Sequence, residues 1–182
     1  MATVTKKPWT ADELCRLPKG WRYEIDDGEL VIMSPAGSRH AQIVANVTSV
    51  LVDFVRPRKL GSVLSGEPGV YLRREPRQTL RGVDVAFFAV EGAQRIRGQR
   101  GFAEVAPDLA VEVDDPSEPD LRGKVAEYLA AGVRAGWIVD PESESLTRHA
   151  PGEAPHTWSS PDGVVEEPVM PGFSCRLRDL FE

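Results

Sequence analysis

Residues 82–88 read GVDVAFF, and residues 109–113 read LAVEV. Both stretches have the apolar, β-branched composition of strands that are buried on both faces of a sheet. Each nevertheless contains one acid, Asp84 in the first stretch and Glu112 in the second. Because side chains alternate between the two faces of a strand, each acid is expected on the face opposite the valines on either side of it. The two stretches therefore predict buried strands that each carry an inward carboxylate.

The remaining sequence supplies further strands and two helices. Apolar residues recur at helical spacing in 38–55 and 119–131, which predicts two helices, the first beginning at Ser38 and closed by Pro57. An Asp-Gly turn joins two strand-like runs and predicts a β-hairpin over 21–33. Further strands are expected at 62–65, 69–73, 82–90, 108–113, 136–139, 146–149, 156–159 and 164–169, followed by an alternating segment over 173–181. This order predicts an α/β fold: a mixed sheet flanked by at least two helices, with an N-terminal hairpin and C-terminal hairpin strands.

Length and composition favour a single folded domain. The chain has 182 residues, 41% hydrophobic and 27% charged, which is typical of a globular protein and excludes a disordered chain. We expect one domain over 1–182, with an N-terminal extension (1–20), a core (21–140) and a β-rich C-terminal portion (141–182). Because no apolar run approaches a membrane span and no signal-peptide pattern opens the chain, we expect a cytoplasmic protein without a membrane partner.

The two cysteines do not suggest a metal site. Cys15 and Cys175 are far apart in the chain and lack the Cys/His spacing of zinc sites. Both are expected to be small, buried, reduced residues, because a disulfide between the termini is disfavoured in the cytosol.

The charge distribution is uneven. The formal net charge is −6, which excludes a uniformly basic nucleic-acid coat. Between Arg56 and Arg100, however, the sequence contains ten Lys or Arg residues and four acids. This segment therefore has a net charge of +6, and the rest of the chain has −12. A phosphate-bearing partner held at one face and a solvated arginine-rich loop both explain this pattern. The candidate nucleic-acid-binding residues are Arg73, Arg74, Arg95, Arg97 and Arg100.

Asp84 and Glu112 are candidate metal ligands. A buried carboxylate costs several kcal/mol unless a cation or hydrogen-bond donors compensate it. Mg²⁺ or Mn²⁺ would relieve both the burial and the mutual repulsion, since such ions are typically held by one or two carboxylates. Lys124 borders the inward stripe of the second helix and could bring an ammonium group to the carboxylates or to a phosphate. An ion pair that only locks the fold explains the same three residues.

Several segments together resemble a known family. The segments are, in order, 21–35 (WRYEIDDGELVIMSP), Arg39-His40, 82–84 (GVD), 106–113 (APDLAVEV), 120–124 (DLRGK), Tyr128, 131–133 (AGV) and 137–141 (WIVDP). Their order and spacing resemble the bacterial family described as putative restriction endonucleases, within the PD-(D/E)XK nuclease superfamily. The resemblance covers nearly the whole chain.

The resemblance implies a restriction-endonuclease-like fold, a Mg²⁺-type metal, phosphodiester hydrolysis of nucleic acid, expected to be DNA, and a homodimer. It assigns Asp84 as the superfamily aspartate, Glu112 as the second acid and Lys124 as a lysine placed on the following helix. Two further residues match positions of the family's pocket: Glu29, as an added carboxylate, and His40, as a contact to phosphate or metal-bound water. A solvated hairpin charge for Glu29 and a capping or core role for His40 are the alternatives.

The chain also departs from the superfamily pattern. The position two residues after the second acid, where the superfamily has its lysine, is Asp114, and the segment 112–124 is about two residues shorter than in relatives. Added acids there would recruit a second cation or repel phosphate. The intact set of Asp84, Glu112 and Lys124 makes a metal-dependent nuclease the first hypothesis, whereas Asp114 and the net charge of −6 favour its rival, a catalytically silent dimeric binding or regulatory module. A carboxylate-pair hydrolase for small substrates would explain neither the lysine nor the basic middle.

Overall fold

The computed structural model describes residues 7–18, 21–116 and 120–182. Its helices are α1 (Ala11–Leu14), α2 (Ser38–Arg58), α3 (Val90–Ile96) and α4 (Leu121–Ala130), with a 3-10 helix at Leu177–Leu180. Its strands are β1 (Arg22–Asp26), β2 (Glu29–Met33), β3 (Gly61–Ser65), β4 (Gly69–Arg73), β5 (Thr79–Gly82), β6 (Val85–Ala89), β7 (Leu109–Val113), β8 (Ala135–Asp140), β9 (Ser145–His149), β10 (His156–Trp158), β11 (Val164–Glu167) and β12 (Phe173–Arg176). Within these residues, no helix is both long and apolar enough to cross a membrane.

The strands form a mixed sheet and two smaller antiparallel sheets. The largest has six strands in the order β10-β9-β8-β7-β6-β3, in which only β7 and β8 pair in parallel. A four-stranded sheet has the order β2-β1-β5-β4, and β11 pairs with β12. The predicted α/β fold with a mixed sheet, an N-terminal hairpin and C-terminal hairpin strands is confirmed.

The six-stranded sheet separates two apolar clusters. On one face, α2 buries the predicted stripe of Ile43, Val47 and Leu51 against alternate residues of β6, β7 and β8. On the other face, α4 packs Val125 and Tyr128 against the remaining residues of β6 and β7. All five residues of β7 are buried, as the continuous apolar run predicts. Any polar group on this strand must therefore find its partners inside the protein.

The chain changes sheets at Val83-Asp84, where one strand was predicted over 82–90. β5 ends at Gly82 in the four-stranded sheet, and β6 begins at Val85 in the six-stranded sheet. Val83 consequently packs in the α4-side cluster, not on the face of Val85 as strict alternation predicts. The alternation holds from Val85 onward. The prediction failed at the break because periodicity does not reveal where a strand leaves its sheet.

Helix boundaries also differ from the sequence prediction. Gly37, not Ser38, is the N-cap of α2, and Pro57 lies inside its last turn instead of closing it. Lys59, with φ 54°, ends the helix in the left-handed conformation. The predicted strand end at Val90 is instead the first residue of α3. The predicted start of α4 at residue 119 lies outside the described residues.

The cysteines occupy different environments. Both thiols are free, but Cys15 is exposed, so the prediction that both are buried is wrong for this residue. Cys15 follows the single turn of α1, which is too short to cover it. Cys175 packs against the main core, where burial, reinforced by Asp179, raises the pKa of its thiol to about 12.

We expect maleimide to label Cys15 rapidly at neutral pH and Cys175 only after unfolding. The thiolate is the reactive species, and Cys175 has almost none at this pH. Mass spectrometry of the native protein should show a single adduct, and Cys15→Ser should remove it. Rapid labelling of both thiols in the native protein would contradict the burial of Cys175.

Candidate functional site

Asp84 lies where the chain passes between the two larger sheets. Its side chain is about 6% exposed. Its Oδ2 accepts a hydrogen bond from the backbone N–H of Val113 at 2.8 Å and lies 3.0 Å from Nε2 of His40. The contact with Val113 places Asp84 beside the end of β7, next to the residue that follows Glu112. The break between β5 and β6 therefore brings Asp84 to the end of the strand that carries Glu112.

His40 approaches the site from the first turn of α2. The side chain is buried beside Asp84. Burial lowers the pKa of His40, but the hydrogen bond and charge of Asp84, with the charge of Asp115, outweigh it, so the pKa is raised. Its Nδ1 is buried and has no hydrogen-bond partner within the described residues. His40 thus contacts Asp84 and, among the described residues, retains one unpartnered polar atom.

Glu112 is held by two side chains of α4. Its side chain is about 1% exposed. Nζ of Lys124 donates to its Oε2 at 3.2 Å, and the hydroxyl of Tyr128 donates to its Oε1. Lys124 and Tyr128 are four residues apart and therefore share the face of α4 that packs on β7. The short segment 112–124 does not prevent the lysine from reaching the acid.

Glu24 is a third buried acid that the sequence interpretation missed. Its Oε1 lies 3.2 Å from Nζ of Lys124 and accepts the backbone N–H of Gly82 at 2.9 Å. Its Oε2 lies 3.2 Å from Arg81, which also pairs with Asp26 and Glu127. We refer to Glu24, Asp84, Glu112 and Lys124 as the carboxylate–lysine cluster.

Glu67 and Arg22 border the carboxylate–lysine cluster. Oε1 of Glu67 lies 2.7 Å from Nη1 of Arg22. Burial raises the pKa of Glu67, the charges of Asp84 and Glu24 add to this rise, and the charges of Arg22 and Lys124 oppose it. Glu67 has φ 57°, a left-handed conformation that is uncommon outside glycine. The turn between β3 and β4 thus presents a carboxylate to the cluster.

The sequence does carry a signal for the residues on β1. Arg22, Glu24 and Asp26 alternate with Tyr23 and Ile25. This period of two predicts one charged face and one apolar face. The apolar face packs in the small core beneath the hairpin, and the charged face meets Glu67, Lys124 and Arg81. The family resemblance indicated Glu29 instead.

Glu29 is not brought into the carboxylate–lysine cluster. It is exposed at the start of β2, opposite Asp26 in the hairpin. Because Glu29 pairs with Asp26 and Glu24 pairs with Val31, Glu29 lies on the same face of the hairpin as Glu24 but at its turn end, where the side chain is exposed. Glu24 and Glu67 supply the additional carboxylates for which the resemblance suggested Glu29.

The predicted arginine set divides into two groups. Arg73 binds Asp27, and Arg74 pairs with Glu104 at 2.9 Å and stacks over the ring of Tyr71. Three further arginines are exposed and form no ion pair within the described part of the chain: Arg95, Arg97 and Arg100. Local acids thus neutralise the first group, and only the second offers uncompensated positive charge.

Neither of the two main cavities coincides with the carboxylate–lysine cluster. A cavity of about 780 Å³ runs along β3 and α3 and is lined in part by Arg97. A second cavity, of about 470 Å³, is lined in part by Asp114 and His149. No residue of the carboxylate–lysine cluster lines either cavity, so the cavities do not indicate where catalysis would occur. Asp114 faces the second cavity, apart from the acids that Lys124 joins.

The donors of the site fit a hard divalent cation. Among residues 7–18, 21–116 and 120–182, no group of three or more His, Cys, Asp or Glu side chains is arranged so that it could hold a metal ion. Mg²⁺ is commonly held by one or two carboxylates plus water and phosphate, so the pair Asp84 and Glu112 is chemically suitable. The burial of these acids does not by itself require a metal, however, because Lys124, His40 and Tyr128 already partner them.

Comparison with known proteins identifies the family. The family model described as "Uma2: Putative restriction endonuclease" matches residues 11–178. The chain belongs to the Uma2 family. This confirms the resemblance found in the sequence.

The chain is also similar to a crystal structure described as a putative nuclease belonging to DUF820 from Anabaena variabilis ATCC 29413. The TM-score is 0.78 and the sequence identity is 22%, and the match covers 96% of this chain and 98% of that one. That likeness shows a shared fold between a Uma2 protein and a solved structure. No curated protein matches the chain.

We expect Lys124→Met to destabilise the protein by about 3 kcal/mol or more, because it leaves buried acids without their shared cation. Urea denaturation measures the change. The double variant Lys124→Met with Glu112→Gln should recover part of the loss, since it removes one of the uncompensated charges. Lys7→Met is the matched control, because Lys7 makes an exposed ion pair with Glu13. Equal denaturation midpoints for Lys124→Met and the parent would contradict the assigned ion pairs.

Proposed function

We propose that this Uma2 protein is a metal-dependent endonuclease that hydrolyses phosphodiester bonds in DNA. The observation that carries the proposal is the contact of Nζ of Lys124 with Glu112 in a cluster that also holds Asp84. Two acids and a lysine are the set that the nuclease superfamily uses; in this chain Lys124 contacts Glu112, and Asp84 binds the backbone N–H of the residue after Glu112. Family membership supports the nuclease class.

The residues of the cluster have distinct proposed roles. Asp84 and Glu112 would hold Mg²⁺ or Mn²⁺, which supplies a Lewis acid and lowers the pKa of water when bound. Lys124 would donate a hydrogen bond to the attacking water or to a phosphate oxygen and stabilise the charge that develops there. Tyr128 and the backbone N–H of Val113 orient the two carboxylates.

The exposed arginines are the proposed contacts to the DNA backbone. Arg95, Arg97 and Arg100 lie at the end of α3 and in the loop that follows it. Their charges are available to phosphates because no ion pair with the described acids neutralises them. Arg73 and Arg74 would contribute less, since binding DNA would first require them to leave Asp27 and Glu104.

One observation favours the rival function, a catalytically silent binding or regulatory module. Glu24, Asp84 and Glu112 each have protein partners that compensate their burial. A cluster of this kind is stable without a cation and could serve only to join the two sheets. Metal binding and cleavage therefore have to be measured separately.

The proposal predicts that Mn²⁺ raises the melting temperature of the parent, because a ligand that binds only the folded state stabilises it. The paired change Asp84→Asn and Glu112→Gln should abolish both this increase and DNA cleavage. Lys124→Ala should keep the increase but lower cleavage about a hundredfold or more, measured at a temperature where it remains folded. Glu29→Gln, an exposed acid, is the control and should change neither. A full Mn²⁺ response in the paired variant would exclude the assigned ligands.

We expect the triple change of Arg95, Arg97 and Arg100 to Glu to weaken DNA binding and to flatten its dependence on salt. Phosphate contacts release counterions, so each lost contact reduces the salt slope by about one. The Mn²⁺ response should be unchanged, because α3 supplies no residue of the carboxylate–lysine cluster. Fluorescence anisotropy over a salt series measures both quantities. An unaltered affinity would remove this surface from the proposal.

A further inference from the structure

Arg22 holds hydrogen-bond donors that its surroundings do not use. Its side chain is 18% exposed, and its Nε and Nη1 are buried without a hydrogen-bond acceptor among the described residues. Nη1 lies close to Glu67, but this ion pair lacks hydrogen-bond alignment, and the remaining nitrogen reaches only the sulfur of Met33 at 3.5 Å. Charged donors removed from water without an acceptor are costly. The arrangement therefore suits an oxygen-rich ligand.

A second unpartnered polar atom lies nearby. Nδ1 of His40 is buried without a partner, while Nε2 of the same ring contacts Asp84. The charge of Arg22 opposes the rise in the pKa of His40, as expected of two basic groups in the same region of the protein. Arg22 and His40 come from β1 and α2, and both border the carboxylate–lysine cluster. Two separate elements thus bring unsatisfied polar atoms to one place.

We propose that Arg22, with His40 beside it, forms a binding subsite for one phosphate group. A planar guanidinium presents paired N–H donors that match two phosphate oxygens, and these are the acceptors that Arg22 lacks. The source of the phosphate rests on the proposed function: if the protein binds DNA, the subsite would hold one phosphate of the DNA backbone. It would hold that strand next to Asp84.

Glu67 is the internal competitor for this subsite. Its carboxylate neutralises Arg22 in the free protein and would repel an arriving phosphate. Glu67 occupies this position with φ 57°, a left-handed backbone that residues other than glycine seldom adopt. Binding of phosphate therefore has to displace Glu67 from Arg22. Removing the charge of Glu67 should consequently strengthen binding, whereas removing that of Arg22 should weaken it.

Inorganic phosphate, titrated calorimetrically in the presence of EDTA, tests the subsite without metal or catalysis. Arg22→Gln should weaken binding about tenfold or more, the scale of one lost charged hydrogen bond. Glu67→Gln should tighten binding severalfold. Arg134→Gln is the matched control, because Arg134 is exposed and pairs with Asp108; its affinity should equal that of the parent.

The two variants are expected to change phosphate affinity in opposite directions, and this distinguishes a loss of the subsite from a general loss of folding. Misfolding cannot produce the tighter binding expected of Glu67→Gln. Equal affinity of Arg22→Gln and the parent, or weaker binding by Glu67→Gln, would overturn the subsite. Displacement of phosphate by duplex DNA would support the backbone as its source, and failure to displace it would overturn that assignment.

The subsite and the nuclease can fail separately. Phosphate binding that depends on Arg22 in a protein that cleaves no DNA would remove the nuclease and keep the subsite. If the protein cleaves DNA but Arg22→Gln leaves its affinity for phosphate unchanged, the nuclease stands and the subsite is excluded.

Discussion

Lys124 joins the two larger sheets through a single buried ammonium group. Its Nζ lies 3.2 Å from Glu112 on β7 of the six-stranded sheet and 3.2 Å from Glu24 on β1 of the four-stranded sheet. Because buried charges are tolerated only in pairs, each acid depends on this lysine and on its remaining partners. The position of α4, the approach of the two sheets and the geometry of the site are therefore coupled. Movement of any one of them would leave a carboxylate uncompensated.

Local patterns account for most of the fold. Alternation placed the valines of β7 on one face and Glu112 on the other, and helical spacing predicted the stripe of α2. What the sequence could not indicate was the transfer of the chain between sheets at Val83-Asp84, since residues 82–90 read as one strand-like run and periodicity does not show which sheet each part joins. The short helix α3 was missed for a related reason: seven residues without a buried side chain show no periodic stripe.

The site was predictable in part. Asp84, Glu112 and Lys124 stood out because a charged residue within an apolar segment needs a partner; in the structure Lys124 contacts Glu112, and Asp84 contacts His40 and the N–H of Val113. Glu24 and Glu67 were not found, because the alternation along β1 indicates a charged face for Glu24 but not its burial, and a charge in a turn, as at Glu67, is common. Their roles depend on tertiary contacts between segments that are distant in sequence, and only the assembled fold reveals these contacts.

The most direct measurement is a crystal structure of the protein grown with Mn²⁺, in which anomalous scattering locates the ion. The account predicts an anomalous peak bound by carboxylate oxygens of both Asp84 and Glu112, at the roughly 2 Å distance typical of small divalent cations, with Lys124 beside it. A structure in which these two carboxylates bind no ion, and Lys124 still joins Glu24 to Glu112, would contradict it. That result would leave the cluster as a structural ion-pair network.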